Sequence, residues 1–143
     1  MQPITELTAE EARRLVGVVF DVDDTLTRAG RLEQAAYTAL WQLREAGLLL
    51  LAVTGRPLGF AEVIARTWPV HAAVGENGAG FVREAGATLH VGYYAQEPER
   101  ARAAALLTRV RERIAREAPF ARITDDSWAR RCERSSGRAR SRR

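Results

Sequence analysis

Six residues from Leu15 to Phe20, apolar apart from Gly17, run directly into Asp21, Asp23 and Asp24. A continuous apolar run bounded by polar residues reads as a strand buried in a parallel sheet. In open α/β sheets, ligands bind beyond the carboxyl ends of such strands. Asp21 and Asp23 lie two positions apart, so they face the same way while the chain stays extended; Asp24 faces away or begins the turn. Like charges gathered at one strand end repel one another, and a divalent cation or a shared proton compensates them. The bland alternative is an acidic turn that happens to follow a strand. The apolar lead-in and the Thr25-Leu26 after the aspartates weigh against it.

A second apolar run, Leu48 to Val53, ends in a hydroxyl at Thr54, followed by Gly55-Arg56-Pro57. Further on stands Gly75-Glu76-Asn77-Gly78-Ala79. Together these segments resemble the haloacid-dehalogenase-like (HAD) phosphatase superfamily. Phe20-Asp21-Val22-Asp23-Asp24-Thr25-Leu26 is similar to its first motif and Leu48–Thr54 to its second. The two glycine-containing segments are similar to its Cof-like and sugar-phosphate phosphatase branch, which inserts a large cap after the third strand. The resemblance implies a Mg²⁺-dependent phosphatase acting on a small phosphorylated metabolite, such as a sugar phosphate, through an aspartyl-phosphate.

The chemistry suits these residues. Phosphate esters are cleaved by in-line displacement, in which the protein chiefly positions groups and neutralises charge. A carboxylate nucleophile divides hydrolysis into formation and breakdown of an acyl phosphate. Asp21, first after the strand, is the candidate nucleophile. Asp23 is the candidate acid and base, protonating the leaving alcohol and later deprotonating water. Mg²⁺ suits an oxygen-only site; by resemblance it takes the Asp21 carboxylate and the Asp23 backbone carbonyl. Thr54 is placed to donate its hydroxyl to a phosphoryl oxygen, and Gly55 permits close backbone approach. Pro57 suits the first position of a helix whose N-terminus favours an anion. Arg56 is a candidate clamp for phosphate or a substrate carboxylate, or else a solvated loop arginine. Asn77 is a candidate substrate contact, with an equally good explanation as a turn residue before glycine.

Two departures from the family pattern stand out. All 22 basic residues are arginine, so the lysine of the superfamily's third motif has no counterpart. The acidic pair of the fourth motif has no convincing match: Asp125-Asp126 comes after a short, interrupted segment and reads as a turn or helix start. The resemblance covers about residues 14–92 well, 93–133 weakly and the rest not at all. Five arginines fall within the last ten residues, and these five charges outweigh the net charge of +4 of the whole chain. Such a tail reads as a basic arm for nucleic acid or as an out-of-frame ending of GC-rich coding DNA. The second reading also accounts for the missing motifs, and the expectation is a C-terminally truncated, impaired phosphatase. An inactive fragment and a phospho-acceptor module are the alternatives. Receivers, however, place a lone Asp after the third strand, where this chain has Gly75.

At 143 residues the chain has the size of one domain. One cysteine, Cys132, excludes an internal disulfide framework and fits a reducing, cytoplasmic setting. No signal segment or membrane span is expected, and His71 and His90 stand isolated. Thr8-Ala9-Glu10-Glu11 fits a capping box opening a short helix that ends near Arg14. Strands are expected at about 15–22, 48–54 and 70–74. Helices are expected at about 33–46, stopped by Gly47, and at 57–66, before Trp68-Pro69. This β-α-β-α-β order implies a right-handed, Rossmann-like, doubly wound parallel half-sheet of α/β class. A hairpin (79–83 and 88–92) and a long helix (98–117) come next. Leu106, Leu107, Val110 and Ile114 are the helix's expected core stripe. We expect residues 1–78 to form the half core, 79–127 the hairpin and partial cap, and 128–143 a disordered tail. Self-association through the incomplete core is a further expectation.

Nucleic-acid binding distinguishes the two readings of the tail. The full chain should bind nucleic acid weakly, without sequence preference and with steep loss in salt. A chain ending at Glu133 should not bind. Recognition of a specific site at nanomolar affinity, measured by competition at physiological salt, would overturn the view that the tail is incidental.

Overall fold

The computed structural model of the protein describes residues 3–86 and 88–121. Asp125, Asp126, Cys132 and the tail at 128–143 lie outside the described residues.

Thr8 caps helix α1 (Ala9–Arg14) as its sequence implies, its side chain accepting from the Glu11 N–H while Glu11 reaches back to Thr8. The apolar run then becomes strand β1 (Gly17–Asp21). After a tight helical turn at Val22–Leu26, two very short antiparallel strands, β2 (Thr27–Arg28) and β3 (Arg31–Leu32), flank the loop at Ala29-Gly30. Helix α2 (Gln34–Glu45) is next, and Gly47, at φ 84°, supplies the left-handed residue that ends it. Strand β4 (Leu49–Val53), helix α3 (Leu58–Thr67) and strand β5 (Ala72–Gly75) complete the β-α-β-α-β order. Pro57 is the N-cap of α3 rather than its first helical residue, with φ −53° and an extended ψ of 149°.

β1 pairs parallel with β4, and β4 with β5, so the sequence order of these strands is also their spatial order. Both crossovers step in the same direction, and right-handed connections then lay both helices on the same face. That face holds the core. Leu50, Ala52 and Thr54 of the β4 segment, Ala73, Leu40 of α2, and Leu58, Ala61, Ile64 and Ala65 of α3 are all buried. Residues of opposite parity lie on the other face: Val19 is 68% exposed and Leu49 57%. Gly75 is a point of close approach, since a Cβ there would lie 2.9 Å from the Leu58 Cα.

The sheet runs on across the expected boundary at residue 78. Strand β6 (Gly80–Ala85) pairs antiparallel with β5, and β7 (Thr88–Tyr93) with β6, giving one five-stranded sheet ordered β1-β4-β5-β6-β7. Helix α4 (Glu97–Glu117) starts soon after, its first turn fixed by the Arg100 guanidinium stacked 3.8 Å from the Tyr93 ring. The expected core stripe of α4 is corrected here. No residue of α4 is buried, and Leu106, Leu107 and Val110 are 58%, 59% and 43% exposed. The periodicity is real, but the described residues place no surface against it. His71 is structural: its Nδ1 accepts the Leu50 N–H at 3.0 Å. No described helix is long and apolar enough to cross a membrane.

Leu50 is 1% exposed at the centre of the core. Leu50→Ala should cost about 2–5 kcal/mol, the usual range for a fully buried leucine. Urea denaturation measures this, and a loss below about 1 kcal/mol would contradict the core assignment.

Candidate active site

Parallel pairing sets Asp21 opposite Val53 at the carboxyl ends of β1 and β4, so the segments that leave the two strands meet at one rim. Asp21 is exposed, and its Oδ2 accepts the Thr25 hydroxyl at 3.1 Å. The chain keeps an extended ψ of 126° at Asp23, then reverses at Asp24, whose φ is 56°. A left-handed aspartate is uncommon, though short polar side chains tolerate it best. The reversal turns Asp24 out to solvent and leaves Asp23 facing β4.

Thr54 is 1% exposed. Its hydroxyl donates to Asp23 Oδ2 at 3.3 Å and accepts the Arg56 N–H at 3.1 Å. The Arg56 side chain closes on the same carboxylate: Nη2 lies 2.6 Å from Oδ1, and Nε lies 3.1 and 2.9 Å from the two oxygens. The guanidinium also stacks 4.4 Å from the centre of the Phe60 ring. Arg56 holds the Asp23 carboxyl below the ordinary aspartate range, chiefly through these hydrogen bonds, against a smaller opposing effect of desolvation. The same contact raises Arg56. Asp23 therefore rests as a carboxylate. Both side chains are about 40% exposed, so water screens the pair and its contribution to stability is small.

Asp21, Asp23, Thr54, Gly55 and Arg56 are thus brought to one rim. Asn77 joins them: its N–H donates to the Thr54 carbonyl at 3.3 Å, and its side chain lies 3.1 Å from where a Gly55 Cβ would be. Asn77 itself sits at φ 53°, a turn conformation. Sequence reasoning missed Glu76. Its carboxylate accepts the Leu58 N–H at 3.1 Å, so the α3 N-terminus, expected to favour a ligand anion, already holds an anion of this chain. Nothing in the local sequence marks this contact, because it joins residues 18 positions apart. Phe60, by contrast, is four positions beyond Arg56 and was findable.

The donors around Asp21 are hard oxygens, a set that suits Mg²⁺. Among the described residues no group of three or more His, Cys, Asp or Glu is suited to a metal ion. The Asp23 carboxylate is committed to Arg56 and Thr54, which leaves the Asp21 carboxylate and the Asp23 carbonyl, the pair the resemblance implies, as donors. That fits the protein side of a weak site, since Mg²⁺ keeps several waters and takes substrate phosphate as well.

A family model for haloacid dehalogenase-like hydrolases matches residues 18–106, more than half of the chain. The chain belongs to that family. The chain also resembles a solved phosphatase of the haloalkanoate (HAD) enzyme superfamily from Bacteroides thetaiotaomicron, with a TM-score of 0.51 and 22% identity. The match covers 76% of this chain and 40% of the phosphatase, a likeness that shows the Rossmann-like fold. The chain therefore spans under half the length of that protein. No curated protein matches it.

Arg56→Gln removes the main cause of the low Asp23 pKa. In this variant the Asp23 carboxyl should move up towards the ordinary aspartate range, read by carbon NMR titration. With the native pair, stability from Asp23 is present above the unfolded value and lost as pH falls through the folded one. The variant should lose that acid sensitivity. An Asp23 titration unmoved by the substitution would show that the ion pair does not form in solution.

Proposed function

We propose that this hydrolase is a phosphomonoesterase for small phosphorylated metabolites, sugar phosphates among them, working through an aspartyl-phosphate on Asp21. The observation that carries the reading is the 3.3 Å contact between Asp23 and the buried Thr54 hydroxyl. It joins the segments after two parallel strands and leaves Asp21 exposed beside them.

In the proposed reaction an Asp21 oxygen attacks phosphorus in line, and the bond from phosphorus to the ester oxygen breaks. Asp23 gives its proton to that departing oxygen. Water then attacks the acyl phosphate, Asp23 takes the water proton, and cleavage returns Asp21 as a free carboxylate with inorganic phosphate. The Asp21 carboxylate and the Asp23 carbonyl would hold Mg²⁺, which would supply charge neutralisation on the phosphoryl oxygens. Thr54 and the backbone at Gly55 orient those oxygens, and Asn77 faces the same space.

The ion pair fits the order of events. With Arg56 on Asp23, Asp23 is unprotonated and suited only to the second half-reaction. An arriving phosphate dianion competes for the guanidinium, for which bidentate phosphate is a strong partner. Once Arg56 turns to phosphate, Asp23 loses the contact that depresses its pKa and can carry a proton to the leaving group. Chemistry thus begins when substrate phosphate displaces Asp23 from Arg56.

The chain lacks lysine, and its described residues offer no third carboxylate for the metal. Losing such groups costs several kcal/mol of transition-state stabilisation, so turnover should be slow. Purified protein with Mg²⁺ and an aryl phosphate should release phosphate more slowly than about 1 s⁻¹, and Asp21→Asn should abolish the release. Activity unchanged in Asp21→Asn would overturn the site assignment, and turnover well above that rate would overturn the expected impairment.

A further inference from the structure

Arg56 stands on a segment that belongs to no strand or helix. β4 ends at Val53 and α3 begins at Leu58, so the chain between them is held by contacts from elsewhere. Pro57 has no N–H to give, and as the N-cap of α3 it offers the helix no side-chain acceptor. The orphan N–H of Leu58 is met instead from the turn after β5, where Glu76 Oε1 accepts it at 3.1 Å. The backbone N–H of Glu76 donates to the Arg56 carbonyl at 2.9 Å. One residue thus grips the chain on both sides of Pro57. The two segments also touch at the backbone, since a Cβ on Gly75 would lie 2.9 Å from the Leu58 Cα and 3.3 Å from the Arg56 carbonyl oxygen.

What this grip fixes is the arginine. Phe60, whose ring lies 4.4 Å from the guanidinium, stands in the first turn of α3 with its N–H on the Pro57 carbonyl at 2.8 Å. The Leu58 contact therefore holds the turn that carries the ring, and the Arg56 contact holds the base of the arginine side chain. Glu76 does this from φ 53°, a left-handed conformation that glycine adopts freely and glutamate rarely. The turn alone has no need of a glutamate; what the side chain adds is the carboxylate on Leu58. We propose that Glu76 is a positioning residue for phosphate binding, clamping the Arg56–Leu58 segment so that the Arg56 guanidinium is presented to a phosphate at the rim. The proposal rests on the phosphate-binding role that the phosphatase reading gives Arg56. Position and charge predict opposite signs. An anion near the rim repels phosphate, so by charge alone its removal would strengthen binding. Loss of the clamp weakens it.

Glu76→Gly suits the left-handed turn and removes the carboxylate, whereas Glu76→Gln removes the charge and keeps an oxygen that can accept the Leu58 N–H. Glu76 is exposed, so circular dichroism should show the fold retained in both variants. Inorganic phosphate, titrated by calorimetry into the full chain at fixed Mg²⁺, should bind Glu76→Gly at least about tenfold more weakly than wild type, the effect of losing a charged hydrogen bond. Glu76→Gln should bind it at least as tightly as wild type. In proton–nitrogen NMR the Arg56 Nε–H signal, assigned by its absence from Arg56→Gln, should lose its hydrogen-bonded shift in Glu76→Gly and keep it in Glu76→Gln. KM for an aryl phosphate should rise in Glu76→Gly with kcat little changed, the pattern of lost ground-state binding. A helix cap with no further role would lower the melting temperature of Glu76→Gly while phosphate affinity and the Arg56 signal stayed in place, and that result would overturn the proposal. So would tighter phosphate binding by Glu76→Gly, equal losses in the two variants, or a wild-type chain that binds no phosphate. A chain without turnover that still shows the affinity and NMR changes would sink the phosphatase reading and leave the clamp standing.

Discussion

The parallel pairing of β1 with β4 is the constraint on which the site depends. Neither strand end is a site alone. β1 delivers carboxylates that repel one another, and β4 delivers a hydroxyl and an arginine with no anion of their own. Register places Asp21 beside Val53, and the next residues of the two strands then meet without any further device. The buried residues of β4, Leu50 and Ala52, lock that register because a one-residue slip would turn them out of the core. Packing energy deep in the sheet is thereby converted into the position of polar groups at its rim.

At the rim, hydrogen bonding and desolvation act in opposite directions on Asp23, and the hydrogen bonds prevail. Arg56 is itself held from three sides: its N–H by the Thr54 hydroxyl, its carbonyl by the Glu76 N–H at 2.9 Å, and its guanidinium by the Phe60 ring. The contact with Asp23 is a fourth, between side chains each about 40% exposed. In the proposed reaction a phosphate would take over the guanidinium without dismantling the backbone that presents it. Glu76, by contrast, is spent on the α3 N-terminus and stabilises the turn rather than the ligand.

Much of this was legible in the sequence because it is local. Thr8 with Glu11, Gly47 after α2, and the apolar runs ending at Asp21 and Thr54 each announce an element within a few residues. Leu40 of α2 and Leu58, Ala61, Ile64 and Ala65 of α3 are buried in the core. The α4 stripe has the same periodicity and no partner among the described residues: periodicity reports that a face is apolar, never what covers it. The Arg56–Asp23 pair joins residues 33 apart and Glu76–Leu58 residues 18 apart. Such contacts depend on strand register and on left-handed residues at Asp24, Glu76 and Asn77, which composition does not encode. The hairpin's attachment to β5 was likewise hidden, since alternation marks a strand but not its neighbour.

Charge defines what the proposed reaction lacks. Asp21, Asp23 and a phosphate dianion bring four negative charges to the rim. Arg56 and a divalent cation return three. The deficit of one positive charge equals the contribution the family resemblance assigns to a lysine, a residue type absent from this chain. At the rim of a protein such an imbalance is screened but not abolished, amounting to a few kcal/mol at close range in an intermediate dielectric. It opposes the dianion on arrival, while Asp23 is still a carboxylate; once Asp23 carries the proton of the first half-reaction the charges balance, so substrate affinity should suffer more than the first chemical step. Among the described residues β1 lies at the edge of the sheet, on the Asp21 side of the rim. A cation arriving there, from any source, would restore the balance without disturbing the β4 side, where Thr54 and Arg56 already stand.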